Sequence, residues 1–235
     1  MPRPPQNDAP LSCLLLPPDS PSLPRQGDTP SADVIVLDLQ AHPQGRRAAE
    51  EYLTGPERSF DVPVWLRVHP FHTPACVDDL TALARLSDAL AIPGVRTAVE
   101  LDRIAVRSGG IPLVPVIDSL PALIRAPSLA RHEHVLRLGF TSVTASSELT
   151  DGMLTVENTA AWVHRIVAAS SMAAGLPGPV GGLCPDVPDA DTLLTEARTA
   201  LASGFTGYCV SDPGRLPELR ALFDDCLAPF GRFFS

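Results

Sequence analysis

The chain has 235 residues, 45% of them hydrophobic, and a formal charge of -9. That length suits one α/β domain, and the acidic balance without a basic run argues against nucleic acid and anionic membrane surfaces as partners. All 18 basic side chains are arginine; with no lysine amine, Schiff-base aldolase chemistry, pyridoxal phosphate anchoring and the phosphate-binding P-loop are excluded.

In chain order, residues 1–10 are proline-rich and polar and read as a disordered tail, with one domain over 11–235. Apolar runs that stop at a polar residue or a turn read as buried strands at 11–16, 32–39, 63–68, 89–92, 113–118, 134–138, 180–184 and 206–210. The seventh is weakened by Gly181-Gly182. Helical periodicity falls at 45–53, 77–86, 98–106, 157–174, 191–203 and 216–227, and a helix after the fifth strand breaks near Pro127. In the longest of these, Trp162, Ile166 and Val167 form the apolar face, with Gly175 as C-cap. Buried strands alternating with amphipathic helices imply a parallel sheet covered on both faces. The expected fold is a single-domain (β/α)8 TIM barrel, whose chemistry gathers where the strands end.

Five scattered cysteines (Cys13, Cys76, Cys184, Cys209 and Cys226) lack disulfide or metal spacing and read as inert thiols, buried where they sit in or beside strands. No apolar stretch approaches the roughly 20 residues that span a bilayer. The run Leu14 to Leu16 is too short for a signal-peptide core, so a cytoplasmic location is expected. Gly178 to Gly182 lacks the spacing of a dinucleotide loop, and no nucleophile elbow is present.

Set in order, the strand ends resemble those of the citrate lyase β-subunit and HpcH/HpaI-type aldolases. The opening strand runs into Leu16-Pro17-Pro18-Asp19, and the second carries Leu37-Asp38-Leu39-Gln40-Ala41, similar to the family's LDLED. Arg67-Val68-His69 matches Arg-Val-Asn on strand three, Pro93-Gly94 a Pro-Lys, and Ile117-Asp118-Ser119 an Ile-Glu-Thr. Leu138-Gly139-Phe140-Thr141-Ser142-Val143 resembles Phe-Gly-x-x-Asp-Leu, and Gly204-Phe205-Thr206-Gly207 keeps Gly-Phe-x-Gly intact. The resemblance implies carbon–carbon bond cleavage or formation on a small oxo-acid or acyl thioester, and a homo-oligomer, commonly a trimer. It also implies a divalent cation that is held by carboxylates from strands five and six and polarises the substrate's oxo group. A strand-three arginine would grip the substrate's carboxylate.

Carried onto this chain, those roles fall on Arg67 for the substrate and Asp118 for the metal, while Ser142 stands at the second metal position. Gln40 and Ala41 replace the acidic pair, and Gly94 replaces the lysine. The expectation is therefore weak or absent Mg²⁺, no required cofactor, and a proton moved by His69 or Asp118. Asp38, Gln40 and Ser142 would line the substrate site. The residues leave alternatives open. Arg67 could pair with Asp38 or Asp118; Asp118 could be ligand, base or ion-pair partner; Asp38 could brace the mouth by hydrogen bonds. His42, His69 and His72 could form a nitrogen-rich metal site with Asp118, supply an acid or base, or be exposed loop residues. Asp186, Ser211 and Asp212 also point to the mouth, Asp212 as a turn cap. Phe230, Phe233 and Phe234 could seal a subunit contact or pack on their own barrel. Arg67→Ala is expected to abolish ligand binding and spare the fold. The expected function is a divergent aldolase or lyase with cleavage, condensation or cyclisation as its reaction; the alternative is an inactive paralogue that binds a ligand or partner subunit.

Overall fold

The computed structural model describes residues 10–25, 27–28, 30–41, 45–56, 61–141, 156–183 and 190–227. Eight parallel strands close into a barrel in sequence order. They are β1 Leu11–Leu16, β2 Val34–Asp38, β3 Val64–Arg67, β4 Ala89–Ile92, β5 Leu113–Ile117, β6 Gly139–Phe140, β7 Val180–Gly181 and β8 Gly207–Val210. Helices α1 Gly45–Thr54, α2 Pro74–Leu83, α3 Ala98–Ser108, α4 Leu120–Ala130, α5 Val156–Ala173, α6 Ala190–Ala202 and α7 Leu216–Leu227 follow the strands. The expected (β/α)8 barrel is present, and the expected tail falls on residues outside those described, apart from Pro10. Among the described residues no helix is long and apolar enough to cross a membrane.

Strand alternation sorts the core into two shells. Cys13, Leu15, Val34, Val36, Trp65, Ala89, Ala91, Val114 and Val116 fill the barrel interior with Val180, Leu183 and Cys209. Their neighbours along each strand, such as Leu14, Ile35, Leu37, Leu66, Leu90 and Ile117, face outward and pack under the helices. The interior mixes one large side chain, Trp65, with small ones such as Ala89 and Ala91, as a tapered barrel core requires. Gly139 belongs to the same fit: a Cβ there would stand 2.6 Å from Leu183 Cδ1 and 3.2 Å from Val114 Cγ1.

Four sequence expectations need correction. The sixth strand lies at Gly139–Phe140, not at 134–138. Residues 134–138 do run beside β5, with Leu113 N donating to His134 O and Leu136 N donating to Leu113 O. The next donor in that row would be Pro115, which has no N–H, so the ladder breaks until Val116 pairs with Gly139. The seventh strand is cut to Val180–Gly181. There Gly181 lies against the Tyr208 ring and Gly182 turns the chain at φ +70, while Cys184 falls outside the described residues.

Helix α4 does not break at Pro127 but runs through it to Ala130. An interior proline costs about 3 kcal/mol, and the buried face of Ala122, Leu123, Ala126, Leu129 and Ala130 against α5 outweighs it. Finally, Trp162 is 50% exposed. The buried face of α5 is instead centred on Val163, His164, Val167 and Ser171, which turns Trp162 to the rim. Gly175 does end that helix, at φ +66.

His164 on that face is a base sealed in an apolar layer. Its ring packs edge-on against Phe140 and Phe205, at centroid distances of 4.9 and 5.0 Å. Its buried Nδ1 has no partner among the described residues. Burial lowers its pKa from 6.5 to about 4. The native state therefore binds fewer protons than the unfolded chain between those values, so stability is present above pH 6.5 and is lost as pH falls toward 4. Between pH 8 and pH 5 the loss through this one group should be about 2 kcal/mol. Urea unfolding at the two pH values should show His164→Phe losing about that much less than the native chain.

Candidate active site at the barrel mouth

The inward rows end at the C-terminal rim in polar side chains. On β2 and β3, Val34, Val36 and Trp65 face inward, so Asp38 and Arg67 follow them into the barrel two residues on. Register sets them side by side, since Asp38 is the Cα partner of Arg67. Arg67 Nη1 donates to Asp38 Oδ1 at 2.8 Å and to Oδ2 at 3.0 Å. Asp38 is 1% exposed and Arg67 9%. The ion-pair partner left open by the sequence is thus Asp38, not Asp118. Gln40 fastens the same corner: its N–H donates to Asp38 Oδ1 at 3.1 Å and its Nε2 to Val68 O at 2.7 Å.

One donor of Arg67 stays unpaired. Its Nε is buried and has no partner among the described residues. Close by, Cys209 lies beside Cys13 in register on β8 and β1. Burial pushes the Cys209 thiol well up, a hydrogen bond with Cys13 adds to this, and Arg67 offsets it in part. A thiol held protonated is neither nucleophile nor metal ligand, which supports the inert reading of Cys209.

Asp118 follows β5, two residues beyond the inward-facing Val116. It is half-buried, and its Oδ2 accepts the Gly94 N–H at 2.7 Å. Gly94 sits at φ +76, and a Cβ there would stand 3.3 Å from Phe71 N, so the glycine standing in the family's lysine position is demanded by the turn. The structure records no bond between Asp118 and Arg67 or His69.

His69 is turned toward α2: its ring Nδ1 lies 2.8 Å from Asp79 Oδ2, and its backbone N–H donates to the same oxygen at 2.9 Å. His72 stands 3.7 Å from Glu100. These two rings serve different carboxylates, and among the described residues no group of three His, Cys, Asp or Glu side chains could hold a metal. The nitrogen-rich site with Asp118 is therefore not assembled by them; His42, Ser142 and Asp186, with Phe230, Phe233 and Phe234, lie outside the described residues. Asp212 caps its turn as expected, its Oδ1 accepting Gly214 N–H at 2.9 Å.

Asp79 was missed by the sequence reading. It is completely buried, and Arg46 Nε donates to its Oδ1 at 3.0 Å. A signal existed: Cys76, Leu80 and Leu83 form the buried stripe of α2, and Asp79 falls on that stripe. A carboxylate at such a position must have partners.

No family model and no curated protein matches the sequence. Solved structures do match in three dimensions. RipC from Yersinia pestis superposes with a TM-score of 0.72 at 21% identity, over 92% of this chain and 95% of its own. The citrate lyase β-subunit from M. tuberculosis, complexed with oxaloacetate and magnesium, gives 0.71 at 22% identity, over 92% of this chain and 97% of its own. The chain has the citrate lyase β-subunit fold. The resemblance read from the strand ends is thereby borne out at the level of architecture. A third match, protein CitE from M. tuberculosis in complex with magnesium, acetoacetate and coenzyme A, gives 0.71 at 21% identity, over 92% of this chain and 81% of its own.

These structures correct the expectation that no cofactor is required and that magnesium is doubtful, because the M. tuberculosis proteins of this fold carry magnesium beside their small carboxylates. The residues present accommodate such an ion in part. Mg²⁺ is commonly held by one or two carboxylates, with water and substrate oxygens completing an octahedron. Asp118 has one oxygen committed to Gly94, and its other oxygen has no hydrogen-bond partner among the described residues. Asp38 does not fit, because both its oxygens face Arg67.

The ion pair also corrects the expectation that Arg67→Ala spares the fold. Removing one partner of a buried pair strands the other charge, at a cost of about 3–5 kcal/mol. Urea denaturation should show Arg67→Ala destabilised by that order, and the double variant Asp38→Leu/Arg67→Met should recover most of the loss.

Proposed function

We propose that this protein is a carbon–carbon lyase of the aldolase type, acting on a small carboxylate- or oxo-bearing molecule or its acyl thioester. The observation that carries the reading is the unpaired Nε of Arg67. A buried guanidinium whose Nη1 is engaged by Asp38 and whose Nε has no partner among the described residues lacks an acceptor there, and an unmet charged donor is costly. A carboxylate or oxo oxygen meeting that Nε removes the deficit, and Asp38 holds the fork in place while it does so. The buried Cys13 and Cys209 line the barrel interior, and the Cys209 thiol, pushed up by burial, offers no competing nucleophile.

Asp118 is the residue proposed to hold Mg²⁺, through the oxygen not engaged by Gly94. When bound, the ion would supply Lewis-acid polarisation of the substrate's oxo group and stabilise developing negative charge. His69 is proposed to take and return the proton that bond cleavage or formation requires, a role open to an imidazole near neutral pH. Gln40, tied to Asp38 and Val68, and Ser142 are proposed to line the substrate. Magnesium, oxaloacetate, pyruvate and coenzyme A in structures of the same fold support this choice of substrate class.

Calorimetric titration with oxaloacetate and with pyruvate, in the presence of MgCl₂, tests the reading. Arg67→Lys keeps the charge but loses the fork, and should weaken binding by tenfold to a hundredfold, as expected for about 1.5–3 kcal/mol of charge-assisted hydrogen bonding. Equal affinity in the native chain and Arg67→Lys would refute it. In thermal melts, saturating MgCl₂ should stabilise the native chain, by about 2.7 kcal/mol at a hundred times Kd, and Asp118→Asn should abolish that gain.

A further inference from the structure

Asp79 is buried beneath the rim and belongs to no part of the substrate or metal site described above. We propose that it is a positioning residue that locks His69 in the Nδ1–H tautomer, so that protons pass through Nε2; this rests on the reading of His69 as the proton-moving group. The geometry is restrictive. Asp79 is completely buried and receives three donors from two directions: the His69 backbone N–H at 2.9 Å, the His69 ring at 2.8 Å and Arg46 Nε at 3.0 Å. Arg46 is itself fastened by Ala75 O at 3.3 Å and lies 3.7 Å from Asp78. A carboxylate beside a guanidinium and a backbone amide acts as acceptor only, so the ring nitrogen facing it must carry the proton. Nε2, on the opposite edge of the ring, is then the basic atom.

Other imidazoles differ. His132 meets Asp102, an exposed carboxylate, at 3.1 Å, and His72 stands 3.7 Å from Glu100. Neither partner is sealed in the core as Asp79 is. His69 also lies two residues beyond Arg67 on the chain that ends β3, so one strand end delivers both the anion grip and the base. The side chain of His69 is 32% exposed, which leaves it accessible.

The step balances simply. A C–H or O–H of the substrate gives its proton to Nε2, and the bonding electron pair stays on the substrate. The imidazolium that forms faces the Asp79 carboxylate, which stabilises it until the proton returns to product.

Two readouts on the full-length chain test this. In a histidine-labelled sample, long-range ¹H–¹⁵N correlation at pH 8 should show His69 as the Nδ1–H tautomer, assigned by its loss in His69→Gln, and Asp79→Asn should shift it toward Nε2–H. In D₂O with MgCl₂ and pyruvate, Asp79→Asn should slow deuterium exchange at the pyruvate methyl by about a hundredfold with pyruvate affinity unchanged, whereas Asp79→Glu, which keeps the carboxylate, should restore part of the rate. A native His69 in the Nε2–H form, a tautomer indifferent to Asp79→Asn, or unaltered exchange in that variant would overturn the proposal. Should Asp79→Asn not fold, the native spectrum decides alone. If the native chain fails to bind pyruvate, the reading of Arg67 falls, while the spectrum still judges the tautomer.

Discussion

The ion pair between Asp38 and Arg67 fixes what this barrel can present at its mouth. A guanidinium inside a ring of Val, Ala and Cys side chains is tolerable only beside a carboxylate, and the parallel register of β2 and β3 places one there. The same register fills the space beneath with Val34, Val36 and Trp65. A slip of one residue would turn Asp38 and Arg67 outward under the helices and swing Leu37 and Leu66 into the interior. Packing and charge therefore demand one alignment. Because Nη1 is spent on that alignment, the proposed ligand contact falls to the unpaired Nε side of Arg67.

Much of the architecture could be read from the chain because buried parallel strands and helix periodicity leave unambiguous patterns. Helix α7 occupies the residues that periodicity gives it, and β1 and β4 fall where their apolar runs lie. The errors have local causes. Pro115 looked like one more apolar residue in a run, yet its missing amide faces β6 and splits the ladder there. Pro127 looked like a helix breaker, yet a buried face on both sides of it carries the helix through. His164 was invisible as a core residue because hydrophobic patterning ranks histidine as polar, while an imidazole between two phenyl rings packs like an aromatic.

The site was legible in part, for a different reason. Arg67 and Asp118 could be found because a polar residue that closes a buried strand in a barrel stands at the mouth whatever its partners. The sequence leaves Arg67 between Asp38 and Asp118 and does not indicate Gly94 for Asp118, since these partners reach across strands, through register that a single sequence does not display. His69 was found by position, but its hydrogen bond to a helix ten residues later was not. Asp79 lay on an apolar stripe, and the stripe could have marked it as a buried, partnered carboxylate. A count of carboxylates alone does not decide for or against magnesium, because water and substrate oxygens also serve as its ligands and leave no trace in a sequence.

On the proposed reading, that last point has a consequence for how the site operates. By the resemblance, Ser142, Gln40 and Ala41 correspond to acidic residues of the family and Gly94 to a lysine, so this sequence carries fewer charges of both signs at those positions. Fewer protein carboxylates leave more of the cation's octahedron to water and to the oxygens of the substrate. An oxo-acid would be able to supply oxygens to an ion held by Asp118 while another of its oxygens met Arg67. Ion and substrate then share ligands, so each must strengthen the binding of the other by the same factor. The thinner the protein's own grip through Asp118, the larger the fraction of the ion's binding energy that comes from the substrate. Specificity at such a mouth is set by which molecules can chelate the ion and reach the unpaired Nε of Arg67 at once.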